Sequence, residues 1–244
     1  MIKTSIADNI AEVQANIASA CDRAGRSPDD VTLVAVSKRQ PLDRVIAAVQ
    51  AGLVHLGENR IDEAEMRRER IMAAGGGYLV WHMLGRVEPR RVRYIPRLFQ
   101  RFHALDSVRL AERLSDLIVA GDLPPFPVWV EVNITGEASK AGFDAHGWAH
   151  SATVFAELRT AIGRISHLRG LDLRGLMTLA PYVADMEQTR PVFAGLRHLR
   201  DALTDSLGVP LPDLSMGMTN DYPVAIEEGA TTVRVGRAIF GERD

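Results

Sequence analysis

Val31-Thr32-Leu33-Val34-Ala35-Val36-Ser37-Lys38 is a short, nearly continuous apolar run, rich in β-branched residues and closed by a lysine. Such a run suits a strand covered on both faces, as strands are in a parallel sheet. A helix-like stretch from Pro41 to Gly52 follows at once, and the strand-then-helix rhythm repeats outward from there. HLGEN (55–59) precedes a charged helix at 61–76, YLVWHMLG (78–85) precedes RRVRYIPRL (90–98), and RFHALD (101–106) precedes a helix over 107–121. PVWVEVNI (127–134) leads to a helix carrying Val154, Leu158, Ile162 and Ile165. LRGLDLRGLMTL (168–179), LPDLSMGMT (211–219) and TTVRVGRAIFG (231–241) bring the strand candidates to eight, with helices between them at 186–208 and 221–229. Eight such units in a chain of this length predict a (β/α)8 TIM barrel in the α/β class. A doubly wound open sheet would carry GxGxxG after its first strand, where this chain has Ser37-Lys38-Arg39-Gln40.

Upstream, Ile6, Ile10, Val13 and Ile17 recur at helical spacing, and Gly25 with Pro28 closes that segment. This extra N-terminal helix, residues 1–26, is expected to cover the place of an eighth barrel helix, for which little chain remains after Gly241. No linker or composition shift divides residues 1–244, so one domain is expected. Of the 244 residues 46% are hydrophobic and 25% charged, which disfavours a disordered or membrane chain. A formal charge of −2 supplies no global positive field for nucleic acid. The basic run Arg90, Arg91, Arg93 follows Glu88 and reads as a solvated helix face. One cysteine, Cys21, forms no internal disulfide, and there is no secretion signal or bilayer-long apolar window, so the cytoplasm is expected.

In a parallel barrel the working face lies at the carboxyl ends of the strands. Lys38 stands there. The chain has lysine at only three positions, Lys3, Lys38 and Lys140, and makes its other positive charges with arginine. A partly desolvated lysine can lose its proton and attack a carbonyl to form a Schiff base, which arginine cannot do. A lysine snorkelling at a strand end is the plainer alternative. The second constellation is Leu214-Ser215-Met216-Gly217-Met218-Thr219-Asn220-Asp221. Ser215 and Thr219 offer hydroxyls, Gly217 permits close backbone approach, and the segment runs into a helix start, so it reads as half a phosphate cup. Arg234-Val235-Gly236-Arg237 would be the other half, since barrels often hold phosphate between the loops after strands seven and eight. Closure of the sheet brings that cup toward Lys38. A phosphate cup beside an imine-forming lysine suits pyridoxal 5′-phosphate, or else a sugar phosphate in a class I aldolase.

AVSK, GEN (57–59), WHMLG (81–85), SKAG (139–142), RGLM (174–177), SMGMTND and VRVGRAIFG resemble, in order and spacing, the pyridoxal phosphate homeostasis proteins. These are single-domain relatives of the amino-terminal barrel of alanine racemases, and the resemblance runs from the leading helix to Gly241. It implies a fold-type III barrel with pyridoxal phosphate bound to Lys38 as an internal aldimine. It places Ser215, Gly217, Met218, Thr219 and Gly236 around the phosphate, and Arg234 against the pyridine nitrogen. A guanidinium there makes the ring a weaker electron sink than an aspartate would.

Racemases of this fold add a partner's β-domain and a tyrosine base; no such domain is expected here. None of Tyr78, Tyr94, Tyr182 and Tyr222 is expected in that tyrosine's place. Asn59 can reach the cofactor ring or merely cap a loop, and His82 reads as a packed, hydrogen-bonded core residue. The seven histidines show no metal-binding spacing. Lys140 reads as a solvated loop lysine, or as a group near the cofactor's entrance. Arg237 stands where the family more often has threonine or serine, so its guanidinium or a backbone amide would meet the phosphate. Ala141 replaces a frequent serine, and Val87-Glu88-Pro89-Arg90-Arg91 departs from the family's loop. The expectation is a monomeric carrier that stores, buffers or delivers pyridoxal phosphate to apoenzymes, with no dedicated catalytic residues and no metal, nucleic acid or membrane partner. A racemase-like enzyme and a sugar-phosphate aldolase are the alternatives.

Overall fold

The computed structural model describes residues 5–242. Nine strands and nine helices are described: β1 Thr32–Val36, β2 His55–Glu58, β3 Val80–Met83, β4 Arg101–Leu105, β5 Phe126–Asn133, β6 Phe143–Asp144, β7 Leu171–Met177, β8 Asp213–Met218, β9 Thr232–Val235, and α1 Ile6–Arg23, α2 Leu42–Gln50, α3 Ile61–Ala73, α4 Ile95–Leu98, α5 Val108–Ala120, α6 Ala152–Ser166, α7 Arg190–Leu207, α8 Tyr222–Glu227, α9 Arg237–Phe240. Every strand pairing is parallel, in the order β4-β3-β2-β1-β9-β8-β7-β5, and β4 also pairs β5. That last pairing closes the eight-stranded barrel. β6, a two-residue strand absent from the sequence reading, adds to β5 outside the ring.

The wall between strands and helices is apolar, because each amphipathic helix turns one apolar stripe to the sheet. Leu110, Leu114 and Ile118 do this on α5, and Phe193, Leu196, Leu199 and Leu203 on α7, all buried. Ser5 caps α1 through a reciprocal bond pair with Asp8. Ile10, Val13 and Ile17 of α1 are buried, and the helix packs on α8, α9 and α2. It therefore occupies the position expected of an eighth helix, α9 being only four residues long. Residues 1–4 of the expected 1–26 segment lie outside the described residues.

Two local elements differ from the sequence expectation. The stretch 90–98 is a 3-10 helix, Pro89–Tyr94, followed by the one-turn α4 rather than one α-helix. Pro96, which lacks an N–H, stands inside the expected span. Its basic residues act locally: Arg91 pairs with Asp62, and Arg90 with Glu88 at 2.6 Å. The first strand ends at Val36, so Lys38 stands in the turn beyond it.

Candidate functional site

The turn that presents Lys38 is held from several sides. The Ser37 N–H donates to the Gly57 carbonyl at 3.0 Å, and the Gln40 N–H closes the turn on the Ser37 carbonyl at 3.0 Å. Ser37 Oγ donates to Glu58 Oε1 at 2.6 Å, and the Arg39 N–H reaches Glu63 at 3.3 Å. Arg39 sits at φ 57°, a left-handed conformation that costs a non-glycine residue about 1–2 kcal/mol. The surrounding bonds hold that conformation, which fixes where half-buried Lys38 departs from the barrel rim. Glu58 is fully buried at the end of β2, and burial raises its carboxyl to about 7 against the opposing pull of Ser37 and Arg67. It braces Ser37, which precedes Lys38, and itself precedes Asn59. Gly85 lets the neighbouring strand end approach Asn59, since a Cβ there would stand 2.3 Å from the Asn59 carbonyl oxygen.

On the other side of the mouth, the ends of β8 and β9 are tied together. The Gly236 N–H donates to Thr219 Oγ1 at 3.2 Å, and Arg237 Nη2 donates to Asn220 Oδ1 at 2.9 Å. Because Thr219 Oγ1 accepts from Gly236, its own proton is left to point at a ligand. Asp221 organises the turn by accepting the Met218 N–H at 2.6 Å, and burial pushes its carboxyl upward. Beneath lies Arg234, 5% exposed, with Nη1 donating to Ser215 Oγ at 2.6 Å and Nη2 to the Thr178 carbonyl at 2.8 Å. Those two bonds fix the guanidinium plane and leave further donors. Burial pulls Arg234 down to about 10, so it stays charged at neutral pH. Glu227 and Glu228 pair elsewhere, with Arg23, Arg190 and Arg197.

These elements enclose a cavity of about 520 Å³, within the usual size of small-molecule sites. Of the residues singled out in sequence, Lys38, Asn59, Met218, Thr219, Arg234, Gly236 and Arg237 line it. Ser215 and Gly217 do not. Ser215 points into the barrel lumen, fully buried, and its hydroxyl serves Arg234 and His103. Gly217 is needed for conformation: φ is +91°, and a Cβ would stand 2.6 Å from the Ala225 Cβ. The close approach it permits is to α8. The Gly236 amide, expected to face the ligand, is engaged by Thr219. Lys140 lies outside the cavity, paired with Glu137 at 2.6 Å.

Sequence reading missed the segment after β7, where Leu179, Tyr182 and Met186 form part of the wall. The apolar and aromatic character of TLAPY at a strand end was the available signal. Tyr182 is 80% exposed, and the Arg237 guanidinium stands 5.8 Å from its ring centroid. His82 is buried as expected, bonded to His55 and His103.

The donor set decides what fits. One amine, a buried guanidinium, a second guanidinium at the rim and a threonine hydroxyl face one space bordered by Val36, Leu84 and Leu179. A flat aldehyde with an anionic tail matches all of them: apolar walls for the ring, an amine for the carbonyl, donors for the anion. The residues present therefore fit pyridoxal phosphate.

Comparison with known proteins agrees. The family model described as "Alanine racemase, N-terminal domain" matches residues 9–244. The pyridoxal phosphate homeostasis protein of Pseudomonas aeruginosa is 40% identical over 241 residues, covering 99% of this chain and 97% of that relative. Its Escherichia coli K12 counterpart is 37% identical over 246 residues, covering 98% and 97%. The structure of PipY from Synechococcus elongatus PCC7942 with PLP bound gives a TM-score of 0.80 at 32% identity, covering 97% of this chain and all of that one.

Proposed function

The chain belongs to the family of pyridoxal phosphate homeostasis proteins, and on that premise we propose that it holds pyridoxal 5′-phosphate at Lys38 as a carrier. The reading rests on one observation: Lys38 from the turn after β1, Thr219 from the end of β8, Arg234 of β9 and Arg237 at the start of α9 open into one cavity. When bound, the cofactor supplies an aldehyde that condenses reversibly with an amine. Lys38 would hold that aldehyde, being the one lysine among the described cavity residues. Thr219 and Arg237 would take the phosphate, a hydroxyl and a guanidinium suited to charge-assisted bonds. Arg234 would face the ring nitrogen, where a group that stays charged at neutral pH donates a hydrogen bond but releases no proton. Asn59 would reach the ring edge.

Storage and delivery, rather than turnover, suit the residues around the mouth. Its rim is made by exposed Met218, Tyr182 and Met186, so water and incoming molecules reach the ligand. Enzymes of carbanion chemistry exclude water and set an acid or base against each face of the substrate. Here Asp221 is turned to the Met218 amide, and the Tyr182 ring lies against Arg237. Recipients would be pyridoxal-phosphate-dependent apoenzymes, served by a monomer in the cytoplasm. The buried, unpaired Cys21 accords with a reducing compartment.

The test is spectroscopic and kinetic. Protein mixed with pyridoxal phosphate should turn yellow and keep the colour through gel filtration, Lys38→Ala should lose it, and alanine should not racemise at a useful rate. A colourless wild type, or brisk Lys38-dependent racemisation, would overturn the carrier reading.

A further inference from the structure

Barrel lumens of this fold are usually filled by layers of branched aliphatic side chains. Here polar side chains run in single file from the amino-end rim to Arg234. His55 Nδ1 lies 3.0 Å from His82 Nε2, His82 Nδ1 2.8 Å from His103 Nε2, and His103 Nδ1 2.8 Å from Ser215 Oγ, which accepts from Arg234 Nη1 at 2.6 Å. The members come from β2, β3, β4, β8 and β9, and Trp129 of β5 stacks on His103 with ring centroids 4.1 Å apart and planes 3° apart. The file is linear, and no metal-ligating cluster occurs among the described residues.

The bonding roles follow from the arginine end. A guanidinium only donates, so Ser215 Oγ must accept from Arg234. Ser215 keeps one proton, and His103 Nδ1 is the acceptor beside it. If His103 donated there instead, the serine oxygen would have two donors and its proton no acceptor among the described contacts. His103 is therefore protonated at Nε2 and donates to His82 Nδ1. The same logic makes His82 donate from Nε2 to His55 Nδ1. Every donor points away from Arg234, and aligned bonds of this kind strengthen one another.

Arg26, Asp30, Arg174 and Asp213 border the same amino-end recess as His82, and Glu131 and Asp221 act on Arg234. The charged groups that act on the imidazoles are Arg101 from β4 and Arg234 from β9, both cationic. With burial they oppose a charge on His82 or His103. Half-buried His55 is held down by burial and by Arg101.

We infer that His103 and His82, with His55 as the outer anchor, are positioning residues for Arg234: a file of neutral imidazoles, each protonated at Nε2, keeps Ser215 Oγ turned to the guanidinium under the cavity. Its consequence for ligand retention rests on the cofactor reading above, whereas the tautomers do not. Nitrogen-15 spectra of the whole protein test the tautomers directly. All three imidazoles should be neutral with bare Nδ1 at pH 7, and His82 and His103 should stay so below the ordinary histidine value of 6.5. A proton on Nδ1 of His103 or His82, or a cationic ring at pH 7, would overturn the file.

Ser215→Ala tests the coupling. It should move the His103 nitrogen shifts, weaken pyridoxal phosphate retention about tenfold, the loss expected for one charge-assisted hydrogen bond, and shift the absorption of the bound cofactor. A folded Ser215→Ala protein with unchanged retention and absorption would overturn the positioning role. If wild type binds no pyridoxal phosphate, the reading of the cavity fails, and the nitrogen spectra still decide the file.

Discussion

The barrel has two buried layers of opposite chemistry. Between strands and helices, Phe193, Leu196, Leu199 and Leu203 of α7 are fully buried among other apolar side chains. Inside the strand ring, Ser215, His103, His82 and Arg234 are buried as deeply. Apolar burial contributes roughly 1.5–3 kcal/mol per large side chain, whereas buried polar groups stabilise little unless every partner is present. The outer layer therefore carries stability, and the lumen carries orientation at the cavity floor. The two layers should fail separately.

The largest effect belongs to the outer layer. Phe193→Ala should lower unfolding free energy by about 3–5 kcal/mol, measured by urea denaturation, with retention unchanged while the protein is folded. A parallel loss of affinity would show that the layers are not independent. At the cavity rim, Thr219→Ala should do the reverse: stability within about 1 kcal/mol of wild type, and affinity for pyridoxal phosphate lower by about tenfold or more, as loss of a hydrogen bond to a charged group implies. Equilibrium dialysis reads this.

Glu131 is another buried ionisable group inside the lumen. It is 6% exposed on β5, and burial raises its carboxyl from 4.5 to about 7, partly offset by Arg234. The folded state thus holds the proton more tightly than the unfolded chain. The stability this contributes is present at low pH and declines as pH rises through about 7. The raised value corresponds to roughly 3 kcal/mol at most. Glu131→Gln should therefore flatten the fall in thermal stability between about pH 5 and pH 8. Glu58, raised the same way, should leave a residual slope. An unaltered slope would mean that Glu131 does not titrate there.

The smallest effect is at the Lys38 turn. Arg39→Gly relieves the left-handed strain at φ 57°, but glycine gains freedom in the unfolded chain, so the net change should stay within about 1 kcal/mol. A loss of more than about 2 kcal/mol would show that the Arg39 side chain itself holds the turn.

The outer layer was legible in sequence because it is written in periodicity. Runs such as 31–38 and 127–134, alternating with helical stripes, were enough to count eight strands and to bring the first strand's end to the eighth. Lys38, Thr219 and Arg237 are legible because they stand just beyond strand ends. The lumen was not legible in this way. His55, His82, His103, Ser215 and Arg234 lie on five strands, and only closure of the ring brings them together. Ser215 and Thr219 look alike in sequence, yet alternation along β8 points one into the lumen, and the left-handed bend at Gly217 carries the other to the mouth. The one-turn helix after Pro89–Tyr94 was hidden because its apolar spacing resembles that of a longer helix.

Lys38 is proposed as the amine that holds the cofactor. Borohydride reduction of the protein loaded with pyridoxal phosphate, followed by peptide mass mapping, tests it most directly. A pyridoxyl mass is expected on the peptide containing Lys38, in stoichiometric yield, with Lys140 unmodified. An adduct confined to Lys140, or stoichiometric binding without any adduct on Lys38, would contradict it.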